Sequence, residues 1–417
     1  INPLAVFPGN ALYKRRKSLY PLKCNPIKIM EALCMFELTK SQKQIQKAAK
    51  GFAKGEFDKE LAYELEKSGT FPEKIWHQAA ELGFVGIHFP EKYSGGGLGL
   101  LEAVLVLEEF CRKDASLGNA LAMASFASEC LVTFGSDELK MKFLPPVTEG
   151  EMVSAGAFSD SQRGGNYTAI KTSADKEKDQ WVINGTKTNV INGGQAGFYI
   201  VLCRTEPGTE GSKGISMLLV EGDCPGISTK SVGKKLGGNM FPSAQVSFEN
   251  VTVPTANLVG REGAGIAQLN AFLLESRLLS APQALGIARG ALDRAMDYIK
   301  ERVQFQRKLA AFQVTQHKIA DMATKIELAE LITYKAAWQK NQGRLDPKLT
   351  SMAKMTAARA AMEVGAQAIQ LFGGYGYMTE YEVERYYREA KMVELHLGAR
   401  DAQKDVIASA VIGKIKP

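Results

Sequence analysis

Histidine is scarce: four residues in a chain of 417. None pairs with a cysteine or another histidine at ligand spacing, so no metal site is expected. The six cysteines (Cys24, Cys34, Cys111, Cys130, Cys203 and Cys224) contain no CxxC pair. They read as reduced structural thiols of a cytosolic protein. No repeat with a period of 20 to 50 residues is present, which argues against a solenoid or propeller. Acidic residues are missing from residues 1–29, which carry Lys14, Arg15, Arg16, Lys17, Lys23 and Lys28. Those six account for nearly all of the formal charge of +7. The remainder is close to neutral, so no nucleic-acid or membrane-surface partner is expected.

That leader holds Pro3, Pro8, Pro21 and Pro26, shows no helical period, and has no apolar run long enough for a signal sequence or a membrane span. We read residues 1–35 as an unstructured or untranslated leader ahead of Met30 or Met35. An organelle transit peptide is the alternative, opposed by its few serines. The location expected is cytoplasmic, or the mitochondrial matrix under that alternative.

Hydrophobic content of 45% and charged content of 23% are ordinary for a soluble globular chain. The length suits two or three domains. Thr39 and Gln42 have capping-box spacing, and an amphipathic helix is expected from there to about residue 66. Pro72 and Gly83 bracket a second helix, with Trp76 and Leu82 on its apolar side. Pro90 to Gly99 is a loop by composition. Helices follow over Leu100–Arg112 and Ala115–Phe134, the latter apolar nearly all round and so expected to be buried. Ser136 caps a short helix expected to end before Pro145 and Pro146.

From about Met152 the period changes to that of strands. Candidates are Val153–Phe158, Tyr167–Ser173, Trp181–Gly185, Phe198–Arg204, Ile215–Val220 and Ala244–Val251, with turns at Asn184-Gly185 and Asn192-Gly193-Gly194. Short strands at this spacing predict a small barrel or sandwich. Helical periodicity returns after Gly265, over about 266–301, 310–342, 347–372, 380–391 and 398–413, which makes a bundle. The fold class is therefore α+β. The divisions expected are 36–151 helical, 152–262 β and 263–417 a helical bundle.

Four stretches carry chemistry. Arg302-Val-Gln-Phe305 runs on to Leu309 and Gln313, an RxxFxxxLxxxQ pattern at a helix end. Arginine is a bidentate phosphate partner, and phenylalanine offers a stacking face. Gln370-Leu-Phe-Gly373-Gly374-Tyr-Gly376-Tyr377 is a QxxGGxGY turn, followed by the basic segment Val383 to Lys391. Ala157 to Asn166 (AFSDSQRGGN) and Lys187 to Gly193 (KTNVING) are a strand–loop and a strand end in the β region.

Together these resemble the acyl-CoA dehydrogenase flavoproteins, over Phe36 to Gly413. The resemblance implies an N-terminal helical domain, a middle β-barrel domain and a C-terminal four-helix bundle. It implies FAD as cofactor, with Arg302, Phe305, Gln313, Gln370, Gly373 and Gly374 reaching a neighbouring subunit's FAD. Phe158, Ser159, Ile191 and Asn192 then stand where the family holds its own flavin. An acyl-CoA substrate, an electron-transferring flavoprotein partner and a homotetramer or heterotetramer are implied likewise. The residues Met123 to Ser128 are small enough for a branched or cyclic acyl chain.

The sequence departs from the family at several points. Leu397, before Gly398, occupies the place of the glutamate that removes the substrate α-proton. Leucine cannot accept a proton. Glu394 and His396 are the neighbouring candidates, and the family's other base position is Ser276, before Arg277. Asn189 and Ile191 replace the aromatic beside the flavin and the threonine that bonds flavin N5. Leu236-Gly237-Gly238-Asn239 lacks the family's arginine. The main expectation is an FAD-dependent acyl-CoA dehydrogenase of carboxylic-acid catabolism that yields the enoyl-CoA. The alternatives are a non-catalytic or half-site subunit of a heteromer, or non-oxidative flavin chemistry such as desulfination.

Overall fold

The computed structural model describes residues 37–161 and 165–413. The leader, and Gln162 to Gly164 of the AFSDSQRGGN loop, lie outside the described residues. Helices come first: α1 (Lys40–Glu56), α2 (Lys59–Ser68), α3 (Glu73–Glu81), α4 (Leu100–Lys113), α5 (Ala115–Met123), α6 (Ser128–Phe134) and α7 (Asp137–Thr148). A β region follows, and helices resume after it, so the fold is a helical N-terminal domain, a β-rich middle domain and a helical C-terminal domain.

Two of the expected helices are broken. The first stops at Glu56, because the Asp58 side chain accepts from Leu61 N and starts a new helix there. The apolar stretch Ala115–Phe134, long enough by composition to cross a membrane, is interrupted at Ala127, whose φ is 77°. Its flanks are buried, so its apolarity serves the core. Leu82 is exposed, unlike Trp76. The last N-terminal helix runs on through Pro145 and Pro146.

The strands are β1 (Ser154–Ala157), β2 (Ser173–Glu177), β3 (Gln180–Ile191), β4 (Phe198–Arg204), β5 (Ile215–Glu221), β6 (Ile227–Ser231), β7 (Ser243–Pro254) and β8 (Leu258–Val259). Their order is β6-β7-β3-β2-β4-β5-β8, with β1 parallel beside β4. Most other pairs are antiparallel. Tyr167–Ser173 is not a strand. The Asp160 carboxylate takes the N–H groups of Lys171 (2.5 Å) and Thr172 (2.9 Å), so those donors are withdrawn from a ladder. Asn184-Gly185 is likewise no hairpin. It is a register shift inside β3, with Gly185 at φ 146° against the backbone of Thr172.

The C-terminal helices are α8 (Gly265–Glu301), α9 (Gln313–Asn341), α10 (Pro347–Phe372), α11 (Val383–Leu395) and α12 (Arg400–Ile412), with a two-stranded hairpin, β9 (Val303–Gln304) and β10 (Arg307–Lys308), between α8 and α9. Ala281, Ala288, Ala357 and Ala361 on α8 and α10 are buried in one core cluster. Helix α4 passes close to α8, since a Cβ at Gly286 or Gly290 would run into the carbonyl oxygen of Glu108 or Arg112.

Helix α11 ties the parts together. Arg385 forms a buried pair with Asp114 at 2.7 Å. Buried Glu389 accepts from Asn119 (2.8 Å), Ser116 (3.1 Å) and Gly238 N (2.8 Å). A Cβ at Gly237 would meet the Arg388 carbonyl at 2.6 Å. Gly237 is thus explained by how near α11 passes, while Asn239, at the place of the family's arginine, accepts from Lys235 N at 2.9 Å.

Candidate active site

The loop between α11 and α12 is pinned through its carbonyls. Arg277 Nε donates to Leu397 O at 2.9 Å. Lys354 Nζ donates to Gly398 O at 2.7 Å and also to His396 O. Gln403 adds a bond to Gly398 O at 2.8 Å. Burial and the nearby Arg277 push the Lys354 ammonium down to about 7. Leu397 itself sits at φ 59°, a left-handed conformation that costs a bulky residue roughly 1–3 kcal/mol. The clamp holds it there.

The Leu397 side chain faces a cavity of about 70 Å³. Its walls come from α3, α4, α5, the break before α6, and α8, including Phe110, Leu121, Met123, Phe126 and Leu279. The break at Ala127 is what turns Ser125 and Phe126 to this space. A short, largely apolar acyl chain suits such walls. Five polar side chains of the described residues interrupt them: His88, Ser125, Glu129, Ser276 and Gln283. The sequence reading passed over His88, Glu129 and Gln283. A lone glutamate inside the apolar run ASFASECLVTF was the available signal for Glu129.

Of the expected base candidates, neither Glu394 nor His396 lines this cavity. Glu394 faces a separate crevice with Lys354 and Arg400. Burial works to raise its pKa, but its ion pairs with Lys391 and with Arg400 (2.7 Å) hold the carboxyl below the usual range. His396 packs its ring 5.4 Å from Phe126, which does line the cavity. Burial, helped by Lys354, pushes its imidazole down to about 3, a weak base. Ser276 reaches the cavity wall. Glu275, the residue before it, is tied to Lys340 at 2.5 Å.

The proposed flavin-side residues are largely committed inward. Phe158 is buried, with its ring 5.6 Å from Phe272 and its carbonyl accepting from Lys187 at 3.1 Å. The Asn192 amide donates to Met123 O (2.6 Å) and Ser154 O (2.9 Å), tying β3 to the end of α5. Ser159 is hydrogen-bonded with Tyr167. Ile191 is half-buried and has no polar side-chain atom.

The opposite holds for the segments expected to serve a neighbour. Phe305 is 85% exposed, and its φ of 51° places it at the tip of the β9–β10 hairpin. Gln313, Gln370, Gly373 and Gly374 are also exposed. The Arg302 guanidinium lies 5.3 Å from the centre of the Tyr375 ring. The structure thus brings the RxxFxxxLxxxQ segment and the glycine turn together. Built Cβ atoms on Gly373 and Gly374 meet nothing within 4 Å, so backbone there is open to a phosphate. This surface fits the nucleotide half of a dinucleotide. The ring side of this chain fits it less well, because Ile191 and Asn192 offer it no free hydrogen bond.

Three family descriptions match almost the whole chain: the acyl-CoA dehydrogenase N-terminal domain at residues 39–151, the middle domain at 155–251 and the C-terminal domain at 263–412. The chain belongs to the acyl-CoA dehydrogenase family, FAD-dependent oxidoreductases acting on a CH–CH bond. It is 36% identical over 379 residues to an acryloyl-CoA reductase (NADH) of Anaerotignum propionicum, covering 90% of this chain and 96% of that protein. It is 36% identical to an acyl-CoA dehydrogenase of Bacillus subtilis, covering 90% and 99% respectively. A chain in the solved structure of the electron-transferring flavoprotein of Acidaminococcus fermentans superimposes with a TM-score of 0.87 at 37% identity, covering 91% of this chain and all of that one.

Proposed function

We propose that this chain dehydrogenates a short acyl-CoA to the α,β-enoyl-CoA in a cytoplasmic, FAD-containing oligomer that passes electrons to an electron-transferring flavoprotein. The observation that carries the reading is the clamped loop 396–398, which closes an apolar, acyl-sized cavity. We divide the chain for this purpose into 36–151, 152–262 and 263–417. FAD, when bound, would supply the two-electron acceptor for the β-hydride. The chain's own part is to hold the acyl group against Leu397, exclude water with the aromatic cluster of Phe126, Phe158 and Phe272, and offer Arg302, Phe305, Gln313 and the Gly373-Gly374 turn to a neighbouring subunit's nucleotide. The α-proton needs an acceptor other than Leu397. His396 on the loop and Glu394 in the last turn of α11 are the imidazole and carboxylate nearest to Leu397 in sequence, and neither lines the cavity.

A second reading is favoured by one contrast. The surface offered to a neighbour is intact, while the base is leucine and the ring-side contacts turn inward. In that reading the chain is a half-site subunit, completing a partner's flavin site without turning over substrate itself. One experiment separates the two. The protein is expressed alone and with a homologous partner chain, and FAD per chain is read by absorption with acyl-CoA bleaching of the flavin. About one FAD per chain and bleaching by the chain alone support the self-contained dehydrogenase. About one per two chains, only on co-expression, supports the half-site subunit.

A further inference from the structure

We propose that the acyl cavity contains a polar subsite, built from His88, Glu129 and Gln283, that receives an uncharged hydrogen-bonding group on the acyl chain, such as a terminal hydroxyl. The inference rests on the acyl-CoA reading above and narrows its substrate class.

Three observations carry it. All three side chains line the cavity that Leu397 closes. Among the described residues neither ring nitrogen of His88 has a hydrogen-bond partner, and neither does Gln283 Oε1, although these atoms are buried. His88 Nε2 and Glu129 Oε1 are 4.0 Å apart, beyond hydrogen-bond reach. Buried polar groups left unpaired cost about 1–3 kcal/mol each. Several unpaired atoms converging on one cavity are therefore the mark of a site completed by something that enters it.

Charge decides what enters. Burial pushes the Glu129 carboxyl up to about 8, and burial pushes the His88 imidazole down to about 4. At neutral pH both are mostly uncharged. The ammonium whose charge acts on His88, that of Lys340, is paired with Glu275 at 2.5 Å. A carboxylate-terminated chain would find no free cation here. A hydroxyl can donate to an imidazole nitrogen or to Gln283 Oε1 and accept from the protonated carboxyl. The apolar remainder of the wall suits the methylenes that precede it.

The test is isothermal titration calorimetry of the full-length assembly with matched ligands: butyryl- against 4-hydroxybutyryl-CoA, hexanoyl- against 6-hydroxyhexanoyl-CoA, and succinyl-CoA. We expect the hydroxylated member of at least one pair to bind about tenfold more tightly. His88→Leu combined with Glu129→Leu should reverse that order. Glu129→Gln keeps a hydrogen-bonding group and the fold, and should keep the preference. Equal affinity within both pairs overturns the subsite and leaves the acyl-CoA reading standing. Tightest binding of succinyl-CoA overturns the uncharged ligand class. Failure of every CoA ester to bind overturns the acyl-CoA reading as well.

Discussion

Lys354 Nζ lies 2.7 Å from the carbonyl oxygen of Gly398, and the same ammonium bonds the carbonyl of His396. One side chain from α10 thus grips the backbone on both sides of Leu397. Leu397, at the position where the resemblance places the family's glutamate, is thereby held in a left-handed conformation, and leucine cannot take a proton.

Lys354→Met should free both carbonyls and let the loop relax. Hydrogen bonds from a charged donor contribute about 1.5–3 kcal/mol. We expect a loss of that order in urea unfolding, with faster amide exchange over residues 396–400. An unchanged midpoint and unchanged exchange would show that the clamp does not hold the loop.

Leu397→Glu should create or raise acyl-CoA dehydrogenation. A positioned general base contributes typically 10²–10⁴-fold. The assay is turnover with an artificial electron acceptor, next to Glu394→Gln and His396→Ala. We expect Glu394→Gln to keep turnover within a few-fold, since its carboxylate faces Lys391 and Arg400 away from the cavity. A 10²-fold loss in that variant would make Glu394 the base.

Arg302→Ala and Phe305→Ala should lower the FAD-to-chain ratio of the assembled protein, because both side chains stand at the surface offered to a neighbour. Helix α9, which begins at Gln313, also exposes Val314, Leu328 and Leu331. Sedimentation velocity should show an oligomer at micromolar concentration in the native chain or in its co-expressed complex. A monomer with full FAD would contradict this arrangement.

Acid should destabilise the protein through its buried histidines. His88 and His396 have folded pKa values lowered to about 4 and about 3, against about 6.5 when unfolded. The unfolded chain therefore binds more protons in this window, so stability falls as pH drops from about 6.5 towards about 3. Glu129, raised to about 8, acts with the opposite sign: its contribution is lost as pH rises from about 4.5 to about 8. Melting temperature across pH should show a maximum between these limbs, and Glu129→Gln should flatten the alkaline one.

Most of the architecture was legible from periodicity and punctuation. Helix α10, bounded by Asp346-Pro347 and Gly373, and strand β4, a plain apolar run, fall where their residues place them. Two of the misreadings share a cause. At Tyr167–Ser173 the Asp160 side chain, a partner distant in sequence, takes the backbone donors that a strand would need. At Ala127 the apolar stretch leaves the helical conformation beside Ser125 and Phe126, which line a cavity built from several distant elements. In neither case does local propensity carry the information.

The sequence by itself determined the family and the order of helices and strands, and it singled out the segments around Arg302 and Gly373 and the leucine at position 397. These depend on residue identity at fixed spacing, which needs no folding to be read. Only the tertiary structure decided which side chains share the cavity. It joined Arg302 to Tyr375 and Lys354 to the loop at Leu397, turned Glu394 away, and gathered His88, Glu129 and Gln283 from a loop and two helices onto one wall. Those are contacts between distant segments, fixed by packing, and packing is settled only when the whole chain has closed around its core.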